Sequence, residues 1–517
     1  MTTLVSLPTN INSEITIVPH EEYSAIRSTW ILMNDAYATN LQRCAHSYIS
    51  PPPGVFQADL NKNNELIKTT EKLIIPIAEG SGWPQAAIAY ILGGFEPDLI
   101  PRTLKGFTSL VSQFAPTVKL PSQLEYLNEE ATKDNKTLDE SYLRAVRRVL
   151  LKGRVPLLLD IQDNKLKLIE YKAEALIDWD TLDNSSDSSL FKYAIFEDTI
   201  ENPNFNPITD NSERYFSVYY YHHIDNGVYK VTKIVNSTKY EGLQQETITP
   251  KLLGKTLNYI PLVALGSIDN TPDVDAIPLL GIANCSVAML DLSCMLKHAE
   301  KASAVPTMYI TGVDADDAPQ VTGAGVCMVF PDYQARVGYT TTDTSAMAHI
   351  EGRIEGYYAQ AQELGASLLG STRHGTESGE ALRLRQASST ATLRSIVENV
   401  GKGFKRILQM AADWRAVDVK SVVFEPNKEF STFSLTANET VALTQTWQAG
   451  AIAHSTLLEN FRKAGMLKAG ETVEDEQTNL EKAGEKYVEP VDQSSKSKNA
   501  LDIAESLPKA NTFNNNL

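Results

Sequence analysis

Two adjacent histidines, an aspartate-rich turn and four scattered cysteines are the residue types here that could do chemistry. His222 and His223 offer imidazole ligands. Neighbours on a strand point to opposite faces, however, and no cysteine or acidic residue stands at ligand spacing. Asp314-Ala315-Asp316-Asp317 opens like a calcium loop but lacks the later Gly and Glu that complete one, so a solvated turn is expected. Cys44, Cys285, Cys294 and Cys327 have no CxxC spacing, which fits reduced thiols in a cytoplasmic setting. Cys285 and Cys294 fall on one expected helix, nine residues apart, too far along its axis to be bridged. The acidic pairs Glu21-Glu22 and Glu129-Glu130 are adjacent surface charges, not a spaced acid/base pair. No phosphate loop, nucleophile elbow or H-E-x-x-H motif occurs. The sequence therefore carries the expectation of no catalysis, no metal and no cofactor.

The elements that would hold such residues change texture along the chain. From Ser28 to about Arg154 the pattern is mostly helical, most clearly over Leu138–Leu151, with Tyr142, Ala145, Val146, Val149 and Leu150 at helical spacing. Short β-branched or aromatic runs follow at Leu157–Ile161, Lys165–Tyr171, Phe191–Phe196, Tyr215–His222 and Gly227–Val235. Asp225-Asn226-Gly227 between the last two is a hairpin signal. A helix is expected over Pro278–Ser303, a short β-like module over Val305–Thr344, and another helix from Ala346 to about Leu369. After the polar loop Gly370–Thr376 comes a long helix, then strands at Ser421–Phe424 and Phe430–Leu435. Helices close the pattern over Ala437–Ala464 and Thr472–Glu485.

The long helix is the most distinctive segment. Leu393, Ile396, Val397, Val400, Phe404, Ile407, Leu408, Ala411 and Trp414 recur at steps of three and four, which lines one face with apolar side chains. Glu377 and Glu380 near its start, with Lys402, Lys405, Arg406 and Arg415 near its end, suit the helix dipole. Some forty residues at about 1.5 Å each make a rod of roughly 55–60 Å, with a bend expected at Gly401 and Gly403. A rod with one narrow stripe suits spanning an assembly better than filling a core; the plainer alternative is a long helix of an ordinary α-helical enzyme.

Composition sets the outer limits. The chain has 517 residues, with 42% hydrophobic and 21% charged, a soluble globular profile whose length suggests about three domains. A net charge of −17 argues against tight binding to nucleic acid, which relies on Lys and Arg neutralising phosphates. Met1-Thr2-Thr3-Leu4 shows no basic stretch leading into an apolar one, so no signal peptide is expected. The most membrane-like run, Ile277–Leu296, carries Asn284 and Asp291. A central Asp costs roughly 2.5–3.5 kcal/mol on insertion, so a helix buried against protein, and no membrane, is expected.

Glu377 to Arg394, Lys405-Arg406-Ile407-Leu408 and Ala411-Ala412-Asp413-Trp414 together resemble the signature helix of tailed-bacteriophage portal proteins. The branch concerned has long been catalogued as a domain of unknown function. Further stretches resemble that family in the same order: Thr103–Pro121, Gly153–Asp160, Tyr171–Trp179, Ile260–Val263, Pro278–Leu280, Pro306–Gly312, Gly323–Gly325 and Ala449–Asn460. The resemblance runs from about Thr103 to Glu481, and the first hundred residues match poorly.

That resemblance implies an α+β fold of portal architecture. An N-terminal arm (1–27) would precede a wing with a helical part and then a β-rich part (28–277). Two stem helices (278–304 and 346–369) would flank a small α/β clip (305–345). A channel loop (370–377) would lead into a long kinked wing helix (378–416), then strands returning to the wing (417–435), crown helices (436–487) and a partly disordered tail (488–517). It also implies a homo-oligomeric ring, by resemblance a dodecamer, at the unique vertex of a virion and assembled in the host cytoplasm. Double-stranded DNA would pass non-specifically during packaging and ejection. Terminase, head-tail adaptor or tail proteins, the major capsid protein and scaffold protein would be its partners. Twelve copies at −17 give roughly −200, a field that repels phosphates and lets DNA slide. Candidate phosphate contacts are Arg373 and His374 in the loop, with Lys297, Lys301 and Arg353 on the stem helices.

Two other readings stand beside it. A different ring-shaped head-tail connector or tail adaptor would keep terminase binding after deletion of Val305–Thr344. A carbohydrate-active hydrolase, suggested by the aromatic run Tyr215–Tyr221, would need a convergent carboxylate pair, and the sequence offers no candidate.

Overall fold

The computed structural model describes residues 17–50, 85–113, 115–182, 190–202, 205, 214–236, 245–304, 307–312, 334–340, 345–365, 379–427, 437–463, 466 and 473–482. The chain divides into two units, Met1–Glu429 and Phe430–Leu517, and the architecture is α+β.

In the first unit, helix α1 (Glu21–Ala38) starts earlier than the expected wing boundary at residue 28. His20 caps it by accepting from the Glu22 N–H, and Glu21 and Glu22 sit in its first turn, where the dipole favours acids. Helices α2 (Gln85–Leu92) and α3 (Leu99–Val111) follow, then strand β1 (Thr117–Lys119) and helix α4 (Leu138–Lys152). A capping box fixes the start of α4: Thr137 accepts from the Glu140 N–H while Glu140 accepts from the Thr137 N–H. Gly153 ends it at φ +75, and a Cβ there would also sit 2.5 Å from the Asp275 carbonyl oxygen.

Strands β2 (Arg154–Gln162), β3 (Lys165–Glu170) and β9 (Leu262–Gly266) form an antiparallel sheet in the order β3-β2-β9. The first six residues of β2 are all buried, as are all five of β9. A strand covered on both faces reads as a continuous apolar run, not an alternation. Strands β4 (Leu176–Thr181), β5 (Phe191–Glu201), β6 (Tyr215–Asp225), β7 (Val228–Val235) and β8 (Gln245–Ile248) make a five-stranded antiparallel meander in sequence order. Asn226 (φ 51) and Gly227 (φ 75) turn β6 into β7 with both central residues left-handed, the turn that matches strand twist. Asp163 (φ 50) and Asn164 (φ 60) do the same between β2 and β3.

Arg154 joins α1, β2 and β4. It is fully buried, with its guanidinium 4.3 Å from the Trp179 ring centroid and 5.4 Å from that of Trp30. It donates to the carbonyls of Pro272, Ala173 and Leu176. Nearby, Glu170 is buried and bound by Arg144 at 2.8 Å and by Arg148 at 3.4 Å.

Helices α5 (Leu280–Ala304) and α6 (Ser345–Leu364) flank a two-stranded ribbon of β10 (Thr307–Thr311) and β11 (Arg336–Thr340). The long helix α7 (Gly379–Arg415) follows. Every apolar position expected to form its stripe is buried, together with Ala412. Phe404 stacks on Phe424 and meets Tyr142 edge-on, with centroids 5.5 Å apart in both cases. From Leu393 onward α7 is therefore the central core helix of this unit, contrary to the expectation of a rod unsuited to a core. It packs against α4 on one side and β9 and β12 (Val423–Glu425) on another, so the buried surface is wider than one stripe.

The helix is continuous through Gly401 and Gly403, whose use is close approach. A Cβ on Gly401 would fall 2.5 Å from Pro426, and one on Gly403 would fall 2.2 Å from Leu265. Of the strands expected at 417–435 to return to the wing, β12 pairs with β1, inside the 28–277 span but in its helical part and not in the meander. The expected strand at Phe430–Leu435 lies outside the described residues.

The second unit contains α8 (Ala437–Gln448), α9 (His454–Lys463) and α10 (Val473–Lys482). The helical span expected over Ala437–Ala464 holds two helices, separated where Gly450 takes φ +74. Leu457 and Leu458 of α9 are buried.

Candidate interaction surface

The residues first singled out for chemistry are locked into structure. His222 is buried on β6 with Nδ1 2.8 Å from the Tyr229 hydroxyl, and burial pulls its pKa down to about 4. His223 stacks on Tyr221. Neither meets a partner suited to a metal, and no group of three or more His, Cys, Asp or Glu that could hold one occurs among the described residues. Cys294 is buried, with its thiol pushed up to about 12 by burial, so it is not a nucleophile. Asp314–Asp317 lies outside the described residues, as do Arg373 and His374.

What remains is the helix–ribbon–helix excursion. Helices α5 and α6 run antiparallel: a Cβ on Gly281 would meet Leu364, and one on Gly365 would meet Ile282. The helix α5 is apolar enough over Leu280–Lys301 to cross a membrane by length and composition alone. Here it buries Ile282, Ala283, Cys285, Met289, Leu290 and Cys294 against protein, packing on α1, α2, α3 and α6. Gly94 admits α2 to this contact, since a Cβ there would lie 2.3 Å from the Cys294 Sγ.

The helix α6 is much barer. Its sheltered positions Met347, Ile350, Ile354, Tyr357 and Ala361 recur at steps of three and four, a single stripe. Ala348, Gly352, Gly356 and Ala359 are exposed on the opposite side, and nothing lies within 4 Å of a Cβ built on either glycine. Two helix-interior glycines facing open space each cost about 1 kcal/mol relative to Ala, with no return inside this chain. The ribbon is equally uncovered: Tyr309, Val337 and Tyr339 are 50%, 44% and 65% exposed. Met295 on α5 and Tyr358 and Leu364 on α6 are exposed too. A two-stranded ribbon is marginal in water without something packed on it.

The charges on this excursion do not form a basic patch. Lys297 is exposed and paired with Glu300 at 2.9 Å. Lys301 is exposed one turn further on. Arg353 donates to the Tyr357 hydroxyl at 3.1 Å with its guanidinium 5.1 Å from that ring, which holds it in one orientation. Exposed Glu351 and Glu355 lie two residues to either side of it, and Glu363 is exposed further along the same helix. The structure therefore brings Lys297, Lys301 and Arg353 onto one helix pair, interleaved with carboxylates that the sequence search for cations passed over. Acidic residues at the same i, i+4 spacing on α6 were the signal available.

Residues 278–415 match one family model, Domain of unknown function (DUF4055). That span is the excursion plus the long helix. No curated protein matches the chain. Among solved structures, the chain is similar to one from the virion of a native gene transfer agent (GTA) particle, at 13% identity and TM-score 0.37, covering 74% of this chain and 94% of that one. Chains from the neck of the native GTA particle computed with C12 symmetry and of the empty GTA particle computed with C6 symmetry are similar at 13% identity and TM-score 0.35. Both cover the same shares of the two chains.

Proposed function

We propose that this chain is a portal-type subunit: a structural, non-catalytic protein that closes with copies of itself into a ring at the head-tail vertex of a virion, with double-stranded DNA passing through the centre. The observation that carries this reading is the excursion itself. The helix α5 is rooted in the core, but the ribbon of β10 and β11 and the helix α6 that follow it leave apolar side chains and two helical glycines uncovered. A lone globular protein gains nothing from such a surface; a subunit covered by neighbours on both sides does. The resemblance of Glu377–Trp414 and the ordered segments before it to portal proteins supports the same assignment.

In this role the net charge of −17 per subunit keeps the polyanion from adhering. Arg353, held over Tyr357, and the Arg373-His374 loop supply local phosphate contacts that break easily. The ribbon end faces a packaging motor or terminase, and tail or adaptor proteins dock after packaging. Twelve copies are the expected number.

Negative-stain microscopy of the purified chain tests the ring directly: closed rings with a central hole are expected, and a protein that stays monomeric at all concentrations rules the reading out. Changing Arg373 and His374 to Ala should leave rings intact and impair DNA packaging or retention. Loss of rings in that variant would remove the loop from the channel.

A further inference from the structure

We draw no further inference here: the strongest candidate, the Leu253-Gly254 turn mounted on the C-terminal end of α7 with Leu253 exposed and left-handed at φ 50, carries none, because nothing in the structure shows what covers that side chain.

Discussion

Two helices within the family-matched span treat glycine in opposite ways. In α7, Gly401 and Gly403 are pressed against Pro426 and Leu265, with no room for a methyl group. In α6, Gly352 and Gly356 face nothing at all. The same residue type in the same secondary structure thus stands in two environments: one closely packed within the chain, the other open. Around α7 every expected apolar position is buried; around α6 and the ribbon, Tyr309, Val337, Tyr339, Tyr358 and Leu364 are exposed. The first region is covered by its own packing, and the second is left exposed.

The sharpest way to break that contrast is to truncate the completed side. Phe404→Ala removes a fully buried ring in contact with Phe424 and Tyr142, and should cost about 3–5 kcal/mol in chemical denaturation of the isolated subunit. A loss below 1 kcal/mol would mean that α7 is not the core helix.

Next in size is a pH effect in the meander. Burial lowers the folded-state pKa of His222 from 6.5 to about 4, so the unfolded chain binds this proton more readily. Stability from the neutral imidazole is full above about pH 6.5 and declines as pH falls toward 4, by up to about 3 kcal/mol across the window. Asp160 is the nearest opposite influence, and His223 adds to the effect. Because carboxylates titrate in the same range, the measurement is the difference in pH slope between wild type and His222→Phe. Equal slopes would place His222 in contact with water.

The smallest effects test the glycines as a pair. Gly403→Ala should destabilise the subunit by about 1–3 kcal/mol through overpacking against Leu265. Gly352→Ala should instead stabilise it by about 0.5–1 kcal/mol through helix propensity alone. Thermal melts of the two variants should move in opposite directions; a shared sign would erase the distinction between the regions.

Much of this fold was legible because periodicity survives wherever one chain buries its own surface. The stripe from Leu393 to Trp414, the helix expected over Leu138–Leu151 and the Asn226-Gly227 turn were all readable, whereas the Thr137–Glu140 box was not singled out. The Asp163-Asn164 turn was not singled out, since without glycine the positive φ at both positions left only a weak signal. The pairing of β12 with β1 brings residues about three hundred positions apart into register, which no local pattern records. At the interaction surface, cations were sought for phosphate, so Lys297 and Lys301 were read without Glu351 and Glu355. Only the antiparallel packing of α5 and α6 puts these cations and carboxylates on one helix pair, with Lys297 near the level of His349 and Lys301 near that of Ser345.

An unbroken α7 has a mechanical consequence. Thirty-seven residues make a strut of roughly 55 Å, clamped over its second half by tight seats at Leu265 and Pro426. A strut held that firmly cannot absorb a push by sliding in its socket. A displacement of the Gly379 end would be delivered as leverage to the sheet containing β9 and to the β12 strand, which the second half of the helix grips.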